Sequence, residues 1–291
     1  MSGRQHIIPI RRAYNRLVAD ETLEDYALRF TAKSARRWSG LRVAQTALGS
    51  VSFLALEAIG GTLVLGLGFT NTLAALVVVA LIIFATAVPI CAYAARYGVD
   101  IDLLTRGAGF GYIGSTVTSL VYASFTFLFF AIEAAIMAMA LHLCFGLPLA
   151  LGYLVSALAV IPLVIYGITL ISRFQIWTQP LWIVLNLLPL ACIVWQGGAP
   201  VDEWLNHPGE AGGGFDLARF GLATGILLAL LAQVGEQVDF LRFVPAAEPG
   251  RTRRWWAAVL GAGAGWIVPG FLKILLGSFL AVLALRHGVP A

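Results

Sequence analysis

Charge is what this sequence has least of. Of its 291 residues only 12% are Asp, Glu, Lys or Arg, against 59% hydrophobic. A soluble domain carries about twice that share of charge, so a water-facing globule is not expected. Cysteine is scarce as well. Cys91, Cys144 and Cys192 each sit in or beside an apolar run, the count is odd, and no CxxC or Cys/His grouping occurs. Neither a disulfide framework nor a metal cofactor is therefore expected. The short alternating segments of a membrane β-barrel are missing too. Residues 1–44 are polar and charged, the opposite of a basic stub followed by an apolar core, so no secretory leader is expected there.

What the chain has instead is long apolar runs and a mean hydropathy of +0.86. Seven of them approach or exceed the roughly 20 residues that span a bilayer as a helix. They lie at about 47–69, 73–95, 114–143, 148–167, 177–196, 217–238 and 256–286. The expectation is an all-α polytopic membrane protein, with a cytoplasmic segment at 1–44 and a transmembrane domain at 45–291. Within the first segment, Leu17, Leu23, Tyr26, Ala27 and Phe30 share one helical face and Thr22 can cap it. A short helix at the membrane surface is expected there.

The basic residues fix an orientation. The N-terminal tail holds nine arginines and lysines from Arg4 to Arg42, and Arg96, Arg106, Arg173, Arg242, Arg251, Arg253 and Arg254 fall in the connections on the same side. Only Arg219 and Arg286 fall opposite. By the positive-inside rule the N-terminus is cytoplasmic and Ala291 is outside, in a bacterial inner or plasma membrane. The pI near 9.1 is thus a matter of topology, and nucleic acid is not an expected partner.

Five ionisable residues fall inside the apolar runs: Glu57, Glu133, Glu236, Asp239 and Lys273. Each costs about 2.5–3.5 kcal/mol on insertion scales, so such groups face a cavity or a partner. Lys273 is expected to pair with a carboxylate, and Asp239 to lie at the cytoplasmic end beside Arg242. Glu57 and Glu133 have apolar residues on both sides and are expected to face a cavity.

"FLALEAIGGTL" places Gly60-Gly61 beside Glu57, and "AQVGEQVDFLRF" places Gly235 among Gln233, Glu236 and Gln237. A glycine pair lets a membrane helix unwind where it lines a cavity. Interrupted helices at matching positions of two repeats mark the mid-membrane site of secondary transporters. Gly60, Gly61, Glu57, Glu133, Gln233, Glu236 and Gln237 are the substrate-site candidates on these grounds. Packing is the competing account of the glycines.

Several stretches also resemble the nucleobase–cation symporter-1 family, the purine/cytosine and hydantoin permeases. "LGSVSFLALEAIGGTLVLGLGF" looks like that family's first helix. "LLTRGAGFGYIGS" looks like its Arg-x-x-Phe-Gly-x-x-Gly-Ser lead into helix three, with one extra residue between Arg106 and Phe110. "FFAIE" falls where many members have Trp-Phe-Gly-x-Gln, and "VDFLRF" resembles the motif closing helix six. The resemblance implies a five-plus-five inverted-repeat (LeuT-like) fold with broken helices one and six. It implies a small-molecule substrate, a nitrogenous heterocycle moved by alternating access with Na+ or H+. Carried over, Phe129 stacks on the ring and Glu133 binds its edge. Asp239, Arg242 and Lys273 are the gate or structural ion-pair candidates.

Seven segments ending on "RHGVPA" make a partial fold, one repeat and two helices of the next. The chain is therefore expected to be a fragment, a truncated gene or the front of a longer protein, without the family's helix-eight sodium ligands. "ADETLEDYALRFTAKSARRWSG" also resembles transporter-like modules that precede histidine-kinase domains. A ligand-sensing input module with C-terminal signalling domains as partners is the alternative. An enzyme is not expected, because no nucleophile–His or metal-ligand spacing occurs.

Overall fold

The computed structural model describes residues 30, 31, 33, 36–195, 197, 200–210, 212–247 and 250–288. The surface helix expected over 17–30 lies outside them apart from Phe30. Among the described residues the regular structure is helical, with one isolated bridge between Phe30 and Val99.

Five helical stretches are long and apolar enough to cross a membrane: Phe69–Tyr97, Ile101–Phe145, Gly167–Trp195, Leu217–Leu241 and Ala264–Arg286. At 1.5 Å per residue, even the 23-residue one exceeds the roughly 30 Å hydrocarbon core. The expected first and fourth spans are shorter. The run at 47–69 is split into α1 (Gly40–Gly49) and α2 (Ala55–Leu67), and the fourth is α6 (Leu149–Ile165).

α3 (Phe69–Tyr97) ends at Gly98, whose φ of 70° closes the last turn in the left-handed region. Gly98 is needed twice over, because a Cβ there would also collide with the Arg36 guanidinium. Arg36 is 5% exposed and donates to Thr31 O, Ala95 O, Arg96 O and Tyr97 O. Its charge meets the negative end of the helix dipole, which offsets part of the burial that pulls the guanidinium below its ordinary pKa.

α4 (Ile101–Thr105) starts at Asp100, which accepts from Leu103 N at 2.8 Å. A π-turn over Arg106–Phe110 leads into α5 (Gly111–Phe145). Gly109 and Gly111 have φ of 109° and 64°, and Arg106 ties the kink together through Asp102 at 3.0 Å and Ser115 at 3.3 Å. α7 (Gly167–Trp195) follows α6, and the short α8 (Val201–Leu205) precedes the sixth run.

The sixth run is α9 (Leu217–Leu228), a 3-10 turn at Ala229–Ala232, then α10 (Gln233–Leu241). The expected single span at 256–286 is also two helices, α11 (Thr252–Ala262) and α12 (Ile267–Arg286). They part at Gly263, where a Cβ would lie 2.8 Å from that of Cys91 on α3.

The core lies among α1, α2, α3, α9, α10, α11 and α12, with Leu56, Ile83, Leu227, Leu241 and Ile274 fully buried. By contrast Phe127, Leu143 and Trp195, on α5 and α7, are widely exposed. Such an apolar belt suits lipid.

Candidate functional site

The interruption in the first run lies at 50–54, "SVSFL", upstream of the glycine pair. Ser50 Oγ donates to Ala47 O at 2.7 Å and Ser52 Oγ to Leu48 O at 3.3 Å. These bonds give the backbone local partners other than the next helical turn. α2 therefore begins afresh at Ala55 with N–H groups that no residue within the helix can accept. Leu54 offers no side-chain cap. Glu133, on α5, supplies one instead: its Oε1 accepts from Ala55 N at 2.6 Å. A carboxylate at a helix N-terminus also meets the positive end of the dipole.

The second interruption approaches the same place. Gln237 Nε2 donates to Ser50 Oγ at 3.0 Å, and Gln233 Nε2 to Glu236 Oε2 at 2.7 Å. Gln233 Nε2 also reaches Ser50 Oγ at 3.5 Å. Both glutamines are buried. One serine hydroxyl thus joins the break before α2 to the start of α10.

Beside this junction is a cavity of about 540 Å³. Its wall includes Ser50, Ser52 and Phe53 from the break, Glu133 from α5 and Glu236 from α10. α7 contributes Gln175, Gln179 and Trp182, and α6 closes it with aliphatic side chains. Such a volume suits a molecule of one or two rings.

The expected unwinding at Gly60-Gly61 does not occur. Both glycines are buried inside α2, which runs unbroken from Ala55 to Leu67. A Cβ on Gly60 would fall 1.9 Å from Ile274 O, and one on Gly61 3.1 Å from Ala281 Cβ. On the facing helix, a Cβ on Gly277 would fall 2.0 Å from Glu57 O. The glycines exist to let α2 and α12 approach backbone to backbone, the small-residue packing of membrane helices. Gly235 behaves alike: a Cβ there would fall 3.1 Å from the Tyr122 ring, and the break lies upstream at Ala229–Ala232.

Glu57 does not line the cavity. Its Oε1 takes the Lys273 ammonium at 2.5 Å, with both side chains largely buried. Lys273 also lies 4.8 Å over the Trp182 ring. The carboxylate partner of Lys273 is thus Glu57. Phe129 stands one layer back, edge-on to Phe53 at 5.4 Å and tilted against Phe125 at 4.5 Å. Phe53 presents the aromatic surface to the cavity. Asp239 accepts from Ile101 N at 3.2 Å, at the start of α4, and Arg242 lies 5.0 Å over Phe243.

The structure therefore gathers Glu133, Gln233, Glu236 and Gln237 at one junction and sets Glu57, Gly60, Gly61 and Lys273 in a separate packed interface. Ser50, Phe53, Gln175, Gln179 and Trp182 are additions. Gln175 and Gln179, four apart in an apolar run, were a legible polar stripe facing one side of a helix. Among the described residues no group of three His, Cys, Asp or Glu is placed to hold a metal ion.

No family model, curated protein or solved structure matches the chain.

Proposed function

We propose that this chain is the core of a secondary transporter for a small nitrogenous heterocycle of the purine, pyrimidine or hydantoin kind. The fold in this proposal is part of a five-plus-five inverted repeat with a cytoplasmic N-terminus, as the resemblance to the nucleobase–cation symporter-1 family implies. The observation that carries it is the meeting of two interrupted membrane helices at Ser50, beside a mostly apolar cavity that bears two carboxylates. Irregular backbone at membrane depth is tolerated where it is buried in protein or lines such a cavity.

In this mechanism Phe53 and Trp182 give the ring flat apolar surfaces, while Glu133 and Glu236 accept from N–H groups on its edge. Alternating access moves α1 and α10 against α7 around the site. The contacts between α1 and α7 that would part are specific: Thr46 Oγ1 bonds Ser172 Oγ at 2.8 Å, and Gln179 Nε2 donates to Gln45 O at 3.2 Å. Coupling to Na+ or H+ belongs to the same proposal.

The test is uptake by proteoliposomes holding the purified chain, offered radiolabelled cytosine, hypoxanthine or hydantoin under imposed Na+ and pH gradients. Gradient-dependent accumulation of at least one, lost in Ser52→Trp, is expected. Absence of uptake of all three by folded protein under either gradient overturns the proposal.

A further inference from the structure

The cavity's polar groups are unbalanced in sign and in hydrogen-bonding type. Its wall carries two carboxylates, Glu133 and Glu236, and no lysine or arginine. Lys273 is bonded to Glu57 and its charge also acts on Glu133, so one ammonium is shared by the carboxylates of this region. Donors at the junction are largely spent: the Nε2 groups of Gln179, Gln233 and Gln237 go to Gln45 O, Glu236 and Ser50, while Trp182 Nε1 on the wall is a buried donor left without a partner. Acceptors are left over. Gln237 is fully buried and its Oε1 has no hydrogen-bond partner, one serine hydroxyl away from the cavity. Gln175 Oε1, on the wall itself, is buried and unpartnered too. Each carboxylate gives one oxygen to a protein N–H, Glu133 to Ala55 and Glu236 to Gln233.

An ionised carboxylate accepts and cannot donate. In that form, which a cationic ligand favours, the pair beside orphaned amide oxygens calls for a ligand rich in N–H groups. Buried carboxylates that outnumber the nearby cation are costly, and a positive ligand relieves that cost. The Phe53 ring on the wall favours the same sign, because a ring face attracts a cation. An anionic heterocycle, or a neutral one whose edge is mostly carbonyl, would face oxygen with oxygen.

We propose that this cavity selects a planar organic cation, an amidine-like or aminated ring that donates several N–H bonds, over a neutral ring of the same shape. The proposal rests on the cavity being the substrate site, and it fixes the substrate's charge and hydrogen-bonding class there.

The test uses two probes of nearly equal shape, benzamidinium and benzamide, titrated calorimetrically into the purified full chain in detergent micelles at pH 7. Benzamidinium is expected to bind at least about tenfold tighter, a ratio within reach of one desolvated charge contact. Glu133→Gln and Glu236→Gln each keep an acceptor oxygen and should each narrow the ratio; the double variant should bring it near one. Benzamide binding as well as benzamidinium, neither probe binding, or a ratio untouched in the folded double variant would each overturn the proposal. The wild-type comparison stands even if a variant does not fold. Uptake of a neutral heterocycle with no preference between the probes would leave the transporter proposal standing and remove this one. Charge-selective binding without uptake of the three heterocycles would do the reverse.

Discussion

Glu57 and Glu133 look alike along the chain, each a lone carboxylate in an apolar run, yet the fold gives them opposite employment. Glu57 sits where α2 and α12 meet over Gly60, Gly61 and Gly277, and its charge is met by Lys273 at 2.5 Å. Glu133 reaches across to the buried, otherwise uncapped start of α2 and borders an open cavity. The first is a bonded pair, and removal of either member leaves a buried charge behind. The second has an oxygen held by the backbone and a cavity next to it. An intramembrane charge thus announces a need for a partner, and only the neighbouring helix says whether that partner is protein or ligand.

The largest effect should come from splitting the pair. Lys273→Met strands the Glu57 carboxylate and should cost about 3–5 kcal/mol, read as a fall in thermal unfolding temperature in detergent micelles. Adding Glu57→Gln should recover most of it. If Lys273→Met is as stable as the wild type, Glu57 and Lys273 are not a structural pair. Next comes the glycine interface. Gly60→Val or Gly277→Ala drives carbon into backbone and should cost about 1–3 kcal/mol, with the equivalent step at Ser52→Ala costing far less. Stability of Gly60→Val equal to that of Ser52→Ala would mean that α2 and α12 do not touch.

On the cavity side Glu133→Gln should leave stability within about 1 kcal/mol, because the amide oxygen still accepts from Ala55 N–H. Its effect should appear in ligand affinity. A large unfolding shift without an affinity change would move Glu133 to the structural class. The gentlest test is access. After removal of the three native cysteines, Thr178→Cys on the cavity wall should react with a water-soluble thiol reagent about tenfold faster than Ser278→Cys, which is 1% exposed. Equal rates would mean that water does not reach the cavity.

Much of the architecture was legible before any coordinates. Apolar length marks the spans, and five survive as helices long enough to cross. The Gly98 and Gly109–Gly111 punctuation falls where the second and third runs meet. The glycine reading failed for a physical reason: a missing Cβ allows both unwinding and close approach, and local sequence does not distinguish them. The actual breaks, at "SVSFL" and "ALLA", carry no glycine at all. They are held by serine hydroxyls and by groups from other helices, which no window of neighbouring residues contains. Phe129 stands one layer back for a similar cause, since Phe53 arrives from the break between α1 and α2 and covers it.

By itself the sequence determined the apolar lengths able to cross a membrane, the helical class and the short roster of charges that must find partners, because those follow from apolar length and from the cost of burying charge. The tertiary structure decided which charge meets which. It set Lys273 on Glu57, the Ala55 N–H on Glu133, and Ser50 between two broken helices. These contacts span from 78 to 216 residues of chain. Only packing in three dimensions brings such distant groups within the few ångströms over which hydrogen bonds and ion pairs act.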